Sequence, residues 1–317
     1  PARGVEDYAR VRPGDNLMFP DDHGPHPDYR NEWWYYTGNL MTASGRQFGF
    51  QLTFFRFALR PEPVDAGSGF ATRQAWMAHF AVTDIEAGRH HAFERFQRGA
   101  LGLAGAEATP FRVWLDDWRV AASGSGALFP ARLVARADGI ELDLLLEPGK
   151  PRVLQGEDGY SRKGRAPGNA SHYYSHTRIP ARGSVVTPGG RFEVEGRAWL
   201  DREWSTSALD DNQVGWDWFA LQLDDGRDLM VYRLRRDDGA TDANSRGVLV
   251  GPEGRARHFG AGEFRLEPRA WWRSPASGAR YPVEWRLEVP AHEIEFTVTS
   301  RLPGQEMDLT FAYWEGA

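Results

Sequence analysis

Asn31-Glu-Trp-Trp-Tyr-Tyr-Thr-Gly-Asn-Leu40 opens a stretch that is written a second time, in altered form, about 180 residues later. Residues 33–56 (WWYYTGNLMTASGRQFGFQLTFFR) can be laid over residues 216–235 (WDWFALQLDDGRDLMVYRLR) with a two-residue gap. Aromatics then fall on aromatics, Leu40 on Leu223, and Gly45-Arg46 on Gly226-Arg227. The parallel continues outward. Residues 75–96 and 246–264 share the plan strand, Gly-Arg, strand, around Gly88-Arg89 and Gly254-Arg255. Phe111-Arg-Val with Trp114 and Trp118 matches Phe264-Arg-Leu with Trp271 and Trp272. Residues 132–148 match 284–303, where Ala291-His292 stands for the Asp138-Gly139 turn. The dominant period is two, and Gly-containing turns sit between the apolar runs, which reads as up-and-down hairpins. The expectation is an all-β chain of two barrels or sandwiches related by internal duplication.

The first copy is the longer, and its domain is drawn at residues 1–205; the second takes 206–317. No counterpart of residues 179–204 appears in the second copy. Either the second barrel closes with fewer strands or the natural chain continues beyond Ala317; an open sheet edge is a liability, which favours continuation and a second domain truncated here.

Composition narrows the function. The chain has 317 residues, 41% of them hydrophobic, and no apolar run long enough for a transmembrane helix. A net charge of −6 with interspersed signs argues against a nucleic-acid groove. The absence of Cys excludes disulfides and thiolate metal sites. Thirteen Trp suit strands and broad apolar cavities. No G-x-S-x-G elbow, H-E-x-x-H, P-loop or G-x-G-x-x-G is present.

Two segments carry titratable residues at strand spacing. In 172–178, His172, Tyr174, His176 and Arg178 share one face, and Tyr173, Ser175 and Thr177 the other. In 199–204, Trp199, Asp201 and Glu203 share a face. A carboxyl in an apolar wall has a raised pKa and can act as a general acid. The competing reading is a partly buried ion-pair cluster of Asp201 and Glu203 with Arg178, Arg197 or Arg202. His172 and His176 would lie about 13 Å apart along a strand, too far to share a metal. His79 reads as a hydrogen-bonded core histidine, and His23 and His26 as part of a Pro-rich capping loop.

Asn31-Glu-Trp-Trp-Tyr-Tyr-Thr-Gly, Phe48-Gly-Phe-Gln-Leu-Thr-Phe-Phe-Arg56, Tyr173-Tyr-Ser-His176 and Ala198-Trp-Leu-Asp-Arg-Glu-Trp204 resemble the AttH-like group. These are predicted secreted "hydrolases" related to the carotenoid 1,2-hydratases, also called hydroxyneurosporene synthases. The resemblance implies two packed lipocalin-like β-barrels, periplasmic or secreted location, and work beside an ABC-type transport permease. Distant relatives of the same build include pericyclase-like enzymes acting on polyketides. The hydratases add water to an isoprenoid double bond without a redox cofactor. They use an Asp near a Tyr, preceded by a His with an aromatic two residues on. Asp201 matches the Asp, and His172 with Tyr174 the upstream pair; Trp199 stands where the Tyr would be. The "hydrolase" label has no visible nucleophile behind it.

Two functions follow. In the first, the chain binds an apolar small molecule (a lipid, isoprenoid or polyketide) and transforms it by acid catalysis such as hydration. Asp201 is then the general acid, His172 or His176 tunes it or orients water, and Glu203 assists. Trp33, Trp34, Tyr174 and Trp199 line the cavity, with Arg178 completing the binding set. In the second, the same cavity is that of a non-catalytic lipid-binding carrier. Neither needs a cofactor or metal. The expected partners are the hydrophobic molecule, the permease and peripheral contact with a membrane.

Overall fold

The computed structural model describes residues 8–61, 68–124, 127–206 and 209–316, and they are all-β with two short 3-10 turns. Strand β1 (Asn31–Met41) shows why. Trp34, Tyr36 and Leu40 point into a dense core, and Trp33, Tyr35 and Thr37 point the opposite way. β1 pairs with β2 (Gln47–Ala58), and the meander runs on through β3 (Gln74–Asp84) to β4 (Arg89–Arg98). A second meander follows: β5 (Ala104–Ala108), β6 (Phe111–Leu115), β7 (Trp118–Ala122), β8 (Ala131–Ala137) and β9 (Ile140–Leu146). The β8–β9 loop is Asp138-Gly139, both with positive φ (48° and 79°), as a two-residue hairpin turn requires.

Short strands β10 (Val153–Leu154) and β11 (Tyr160–Arg162) pair with β12 (Ala170–Thr187), which forms a long hairpin with β13 (Gly190–Ser205). That hairpin joins the two meanders, giving the order β4-β3-β2-β1-β13-β12-β9-β8-β7-β6-β5. The ends curl toward each other. Arg95 on β4 bonds Asp117 in the β6–β7 turn and donates to the Arg136 carbonyl at 2.9 Å. Phe80 on β3 meets Trp118 on β7 edge-on at 5.5 Å. The result is an 11-strand antiparallel sheet closed almost into a barrel and filled by its own side chains. At Gly38 the backbones of β1 and β13 approach so closely that a Cβ would meet the Arg197 carbonyl and come within 2.9 Å of Ala198 Cα.

The rest of the chain is built of smaller sheets. One is the meander β14 (Gln213–Gln222), β15 (Asp228–Arg236), β16 (Arg246–Val250), β17 (Ala256–Gly260). Another is β18 (Arg265–Arg273), β19 (Arg280–Val289), β20 (Ile294–Thr299), and β21 (Glu306–Met307) pairs with β22 (Tyr313–Trp314). The hairpin order of the first four strands is thus repeated. A second closed barrel is not formed among the described residues, which corrects that part of the expectation. The second half lacks a long central hairpin like β12–β13 to join its meanders. It buries Leu229, Val231, Phe259, Trp285 and Leu287 in a core of its own.

The second half lies on the outer face of the first. β2 is buried on both faces along most of its length, and so are the last eight residues of β13. Tyr173 and Trp199 of the first sheet share a cluster with Met230, Tyr232, Leu234, Val248 and Val250 of the second half. Asp228 pins the two together. It is fully buried and accepts from Lys150 Nζ (2.7 Å), Thr177 Oγ1 (2.8 Å) and Arg178 Nε (2.8 Å).

A cleft between the two halves as the candidate active site

Alternation decides which side chains meet the second half. The odd-numbered residues of β1 and of the end of β13 face outward, and above them lies a cleft of about 2360 Å³ lined from both halves. Trp33, Trp199, Asp201 and Glu203, four of the residues singled out in the sequence, line it. Across the β12–β13 register, Tyr173 lies opposite Glu203 and Ser175 opposite Asp201.

Asp201 is 5% exposed and takes three hydrogen bonds. Tyr173 OH donates to Oδ2 at 2.6 Å, Ser175 Oγ to Oδ1 at 2.6 Å, and Trp199 Nε1 to Oδ1 at 2.7 Å. Burial raises the carboxyl most strongly, the three donors oppose it and Glu203 adds to the rise, so that it titrates at about 6. Tyr173 is raised well above the ordinary phenol range by burial and by the Asp201 and Glu203 charges. Lys163 approaches Glu203 at 3.1 Å and lies over the rings of Tyr232 (4.5 Å) and Tyr173 (5.0 Å). Burial works against its charge, but Glu203 and Tyr232 outweigh that and hold the ammonium above its usual range. Trp218 meets Trp199 edge-on at 6.2 Å and Tyr35 at 5.4 Å, which extends the aromatic wall.

The other expected site residues lie elsewhere. Trp34, Tyr174, His172 and His176 point to the opposite face of the same strands, a consequence of the period of two. Trp34 packs in the barrel core. Tyr174 OH is 2.7 Å from Nδ1 of His23, whose ring also meets Phe19 and Phe111. His172 lies between Tyr29 and Trp204 and 3.6 Å from Asp15. His176 stacks edge-on against Phe129, and burial pushes it down to about 4. Neither histidine is among the groups that bond Asp201. A bulge between His176 and Ile179 breaks the alternation, so that Thr177 and Arg178 both reach Asp228. Arg178 is therefore a bond between the halves and is not part of the cleft wall. The ion-pair reading of Asp201 also fails to match its partners, since Arg202 turns inward. It joins Arg56 around the fully buried Glu32, held far below the usual range because the two guanidiniums outweigh its burial.

Tyr173 and Ser175 were missed in the sequence as site residues because their role depends on strand register. The departure at Trp199 is offset in space, since the phenol missing from β13 comes to Asp201 from Tyr173 on β12. His79 is buried and hydrogen-bonded, and it also lines the cleft. Among the described residues no group of three His, Cys, Asp or Glu is placed to hold a metal ion.

Comparison with known proteins places this geometry. The family model described as AttH-like matches residues 10–317. The crystal structure of an AttH-type protein from Nitrosomonas europaea is 38% identical, with 97% of this chain and 93% of that one covered and a TM-score of 0.86. Kievitone hydratase from Nectria haematococca shares the fold at 12% identity, with 96% of this chain and 86% of that one covered and a TM-score of 0.69. No curated protein matches the sequence significantly.

Proposed function

The chain belongs to the AttH-like family, and from that premise we propose that it binds an apolar small molecule in the cleft and hydrates a double bond by acid catalysis. The observation that carries this is a buried carboxyl bonded to a phenol in the wall of an aromatic-lined cleft, where burial pushes its pKa up to about 6. Kievitone hydratase shares the fold alone at this identity, so the chemistry is argued from the residues.

Asp201 gives up its proton and Tyr173 relays it: the phenol passes its own proton to an alkene carbon as it takes the one from Asp201. A C–H bond forms, the π bond breaks, and a carbocation remains. Indole faces stabilise such a cation, as they do other cations, and Trp199, Trp33 and Trp218 are in place. Water then forms the C–O bond, and its surplus proton returns to Asp201. Tyr173, Ser175 and Trp199 are donors to the carboxylate that the first step creates. Burial favours the acid before that step, and the donors favour the base after it.

The substrate class is a lipid, isoprenoid or polyketide. The carrier alternative draws on the cleft's wide mouth, where Leu59, Val214, Trp216 and Phe311 are exposed apolar side chains. Two divergent copies of one lipocalin-like module, split near residue 205, complete the proposal and rest on the repeated hairpin order. Export and an association with an ABC-type permease belong to it on the resemblance alone; cell fractionation and co-purification test them.

The decisive experiment incubates the protein with acyclic isoprenoids and follows mass. A product heavier by one water, lost by about 10²–10⁴-fold in Asp201→Asn and Tyr173→Phe, is the expected result. A lipid that co-purifies unchanged with all three proteins, with no hydrated product, favours the carrier.

A further inference from the structure

The register of the large sheet sets one row of polar residues across six strands. Ser175 lies opposite Asp201, Asp201 opposite Tyr35, Tyr35 opposite Thr53, Thr53 opposite His79, and His79 opposite Glu94. On one side of it runs the row Glu203, Trp33, Phe55, Met77. At about 4.8 Å per strand, His79 lies about 14 Å from Asp201. Both line the same cleft.

The second half closes onto this row at Tyr35, beside Asp201, and at His79 farther along it. Tyr313 OH is 2.8 Å from His79 Nδ1, and His79 Nε2 is 2.9 Å from Glu94 Oε1. Tyr35 OH donates to Glu315 Oε1. Glu315 is anchored, its N–H bonded to the Gln305 carbonyl at 3.0 Å just after the β21–β22 pair. Its other oxygen, Oε2, has no hydrogen-bond partner among the described residues, and the residue keeps partial exposure where it lines the cleft. Burial pushes the carboxyl up to about 7 against the effect of Tyr35, so at neutral pH a large share carries a proton. No Arg or Lys side chain bonds Tyr35, His79, Tyr313 or Glu315 among the described residues. The cluster therefore offers the protonated Glu315 carboxyl as a neutral donor and no counter-charge for an anion.

We propose that Glu315, with Tyr35, Tyr313 and His79, forms a second polar subsite of the cleft that binds an uncharged oxygen of the ligand. This deepens the reading above and rests on it. The ligand is an apolar molecule with a carbonyl or hydroxyl oxygen directed at Glu315, on the Tyr35–His79 side of Asp201. A free carboxylate fits poorly, because nothing there pairs with its charge.

The test is calorimetric binding of three probes to the full chain: farnesylacetone, the hydrocarbon of the same carbon skeleton, and the corresponding primary amine. The ketone is expected to bind roughly tenfold more tightly than the hydrocarbon, the value of one well-made hydrogen bond. Glu315→Leu abolishes that preference and leaves hydrocarbon binding in place. Glu315→Gln, which keeps a neutral donor, retains it, and so does Asp201→Asn. Equal binding of ketone and hydrocarbon to the unmodified protein overturns the subsite alone. A preference lost in Asp201→Asn and kept in Glu315→Leu, or tightest binding of the amine, overturns it too. If no probe binds, the apolar-cleft reading falls together with this one.

Discussion

At Asp201 burial and hydrogen bonding pull in opposite directions, and burial prevails. The carboxyl titrates at about 6 in the folded protein against 3.8 for an unperturbed Asp. Between those values the folded chain binds more protons than the unfolded one, so stability falls as pH rises through that window. The cost above it is about 3 kcal/mol, net of the three donors. Asp201→Asn is therefore predicted to be about 2 kcal/mol more stable than the natural chain at pH 8. The gain shrinks as pH falls through 6 and is gone near 4; urea unfolding across pH measures it. Among single residues, Asp201, Glu203, Trp33 and Trp199 were legible from alternation and from the polar residues it brings together. Trp34, Tyr174, His172 and His176 were not. A period of two separates two faces without telling which one a second sheet will cover. Glu32 and Arg202 belong to the same conspicuous motifs, yet they serve the barrel interior through a buried ion network.

At the scale of the element, the β12–β13 hairpin does most to build the site. Its register brings Tyr173 and Ser175 to Asp201, and its bulge after His176 sends Thr177 and Arg178 to Asp228. The bulge shifts the register partway along this long hairpin, beyond what the turn alone sets, which is why neither was legible. The hairpin turns were legible: Gly45, Gly88, Gly139, Gly226 and Gly254 all have positive φ where turns were expected. Asp228→Ala would leave Lys150 and Arg178 as unpaired charges between the halves. Removing one partner of such a buried set costs about 3–5 kcal/mol. The predicted outcome is loss of that stability in urea, with faster proteolysis near the junction of the halves while the first sheet's core stays protected from hydrogen exchange.

For the molecule as a whole, period two and regular turns announced an all-β chain. The closing of one sheet and the splitting of the other were not visible, because closure depends on which strands become neighbours. The consequence is that the first sheet fills its own interior, and the large cleft is left between the halves. Asp201 lies on the outer face of the first sheet, where its bonding partners Tyr173 and Trp199 pack against the second half and help bury it. Its titration therefore reports on the fold and on the chemistry at once. The most direct measurement is carboxyl ¹³C NMR of Asp-labelled protein across pH, with Asp201→Asn to assign the signal. A midpoint near 6 is the result this account predicts. A midpoint below 4 would contradict it, leaving Asp201 a solvated or ion-paired carboxylate unable to act as an acid at neutral pH.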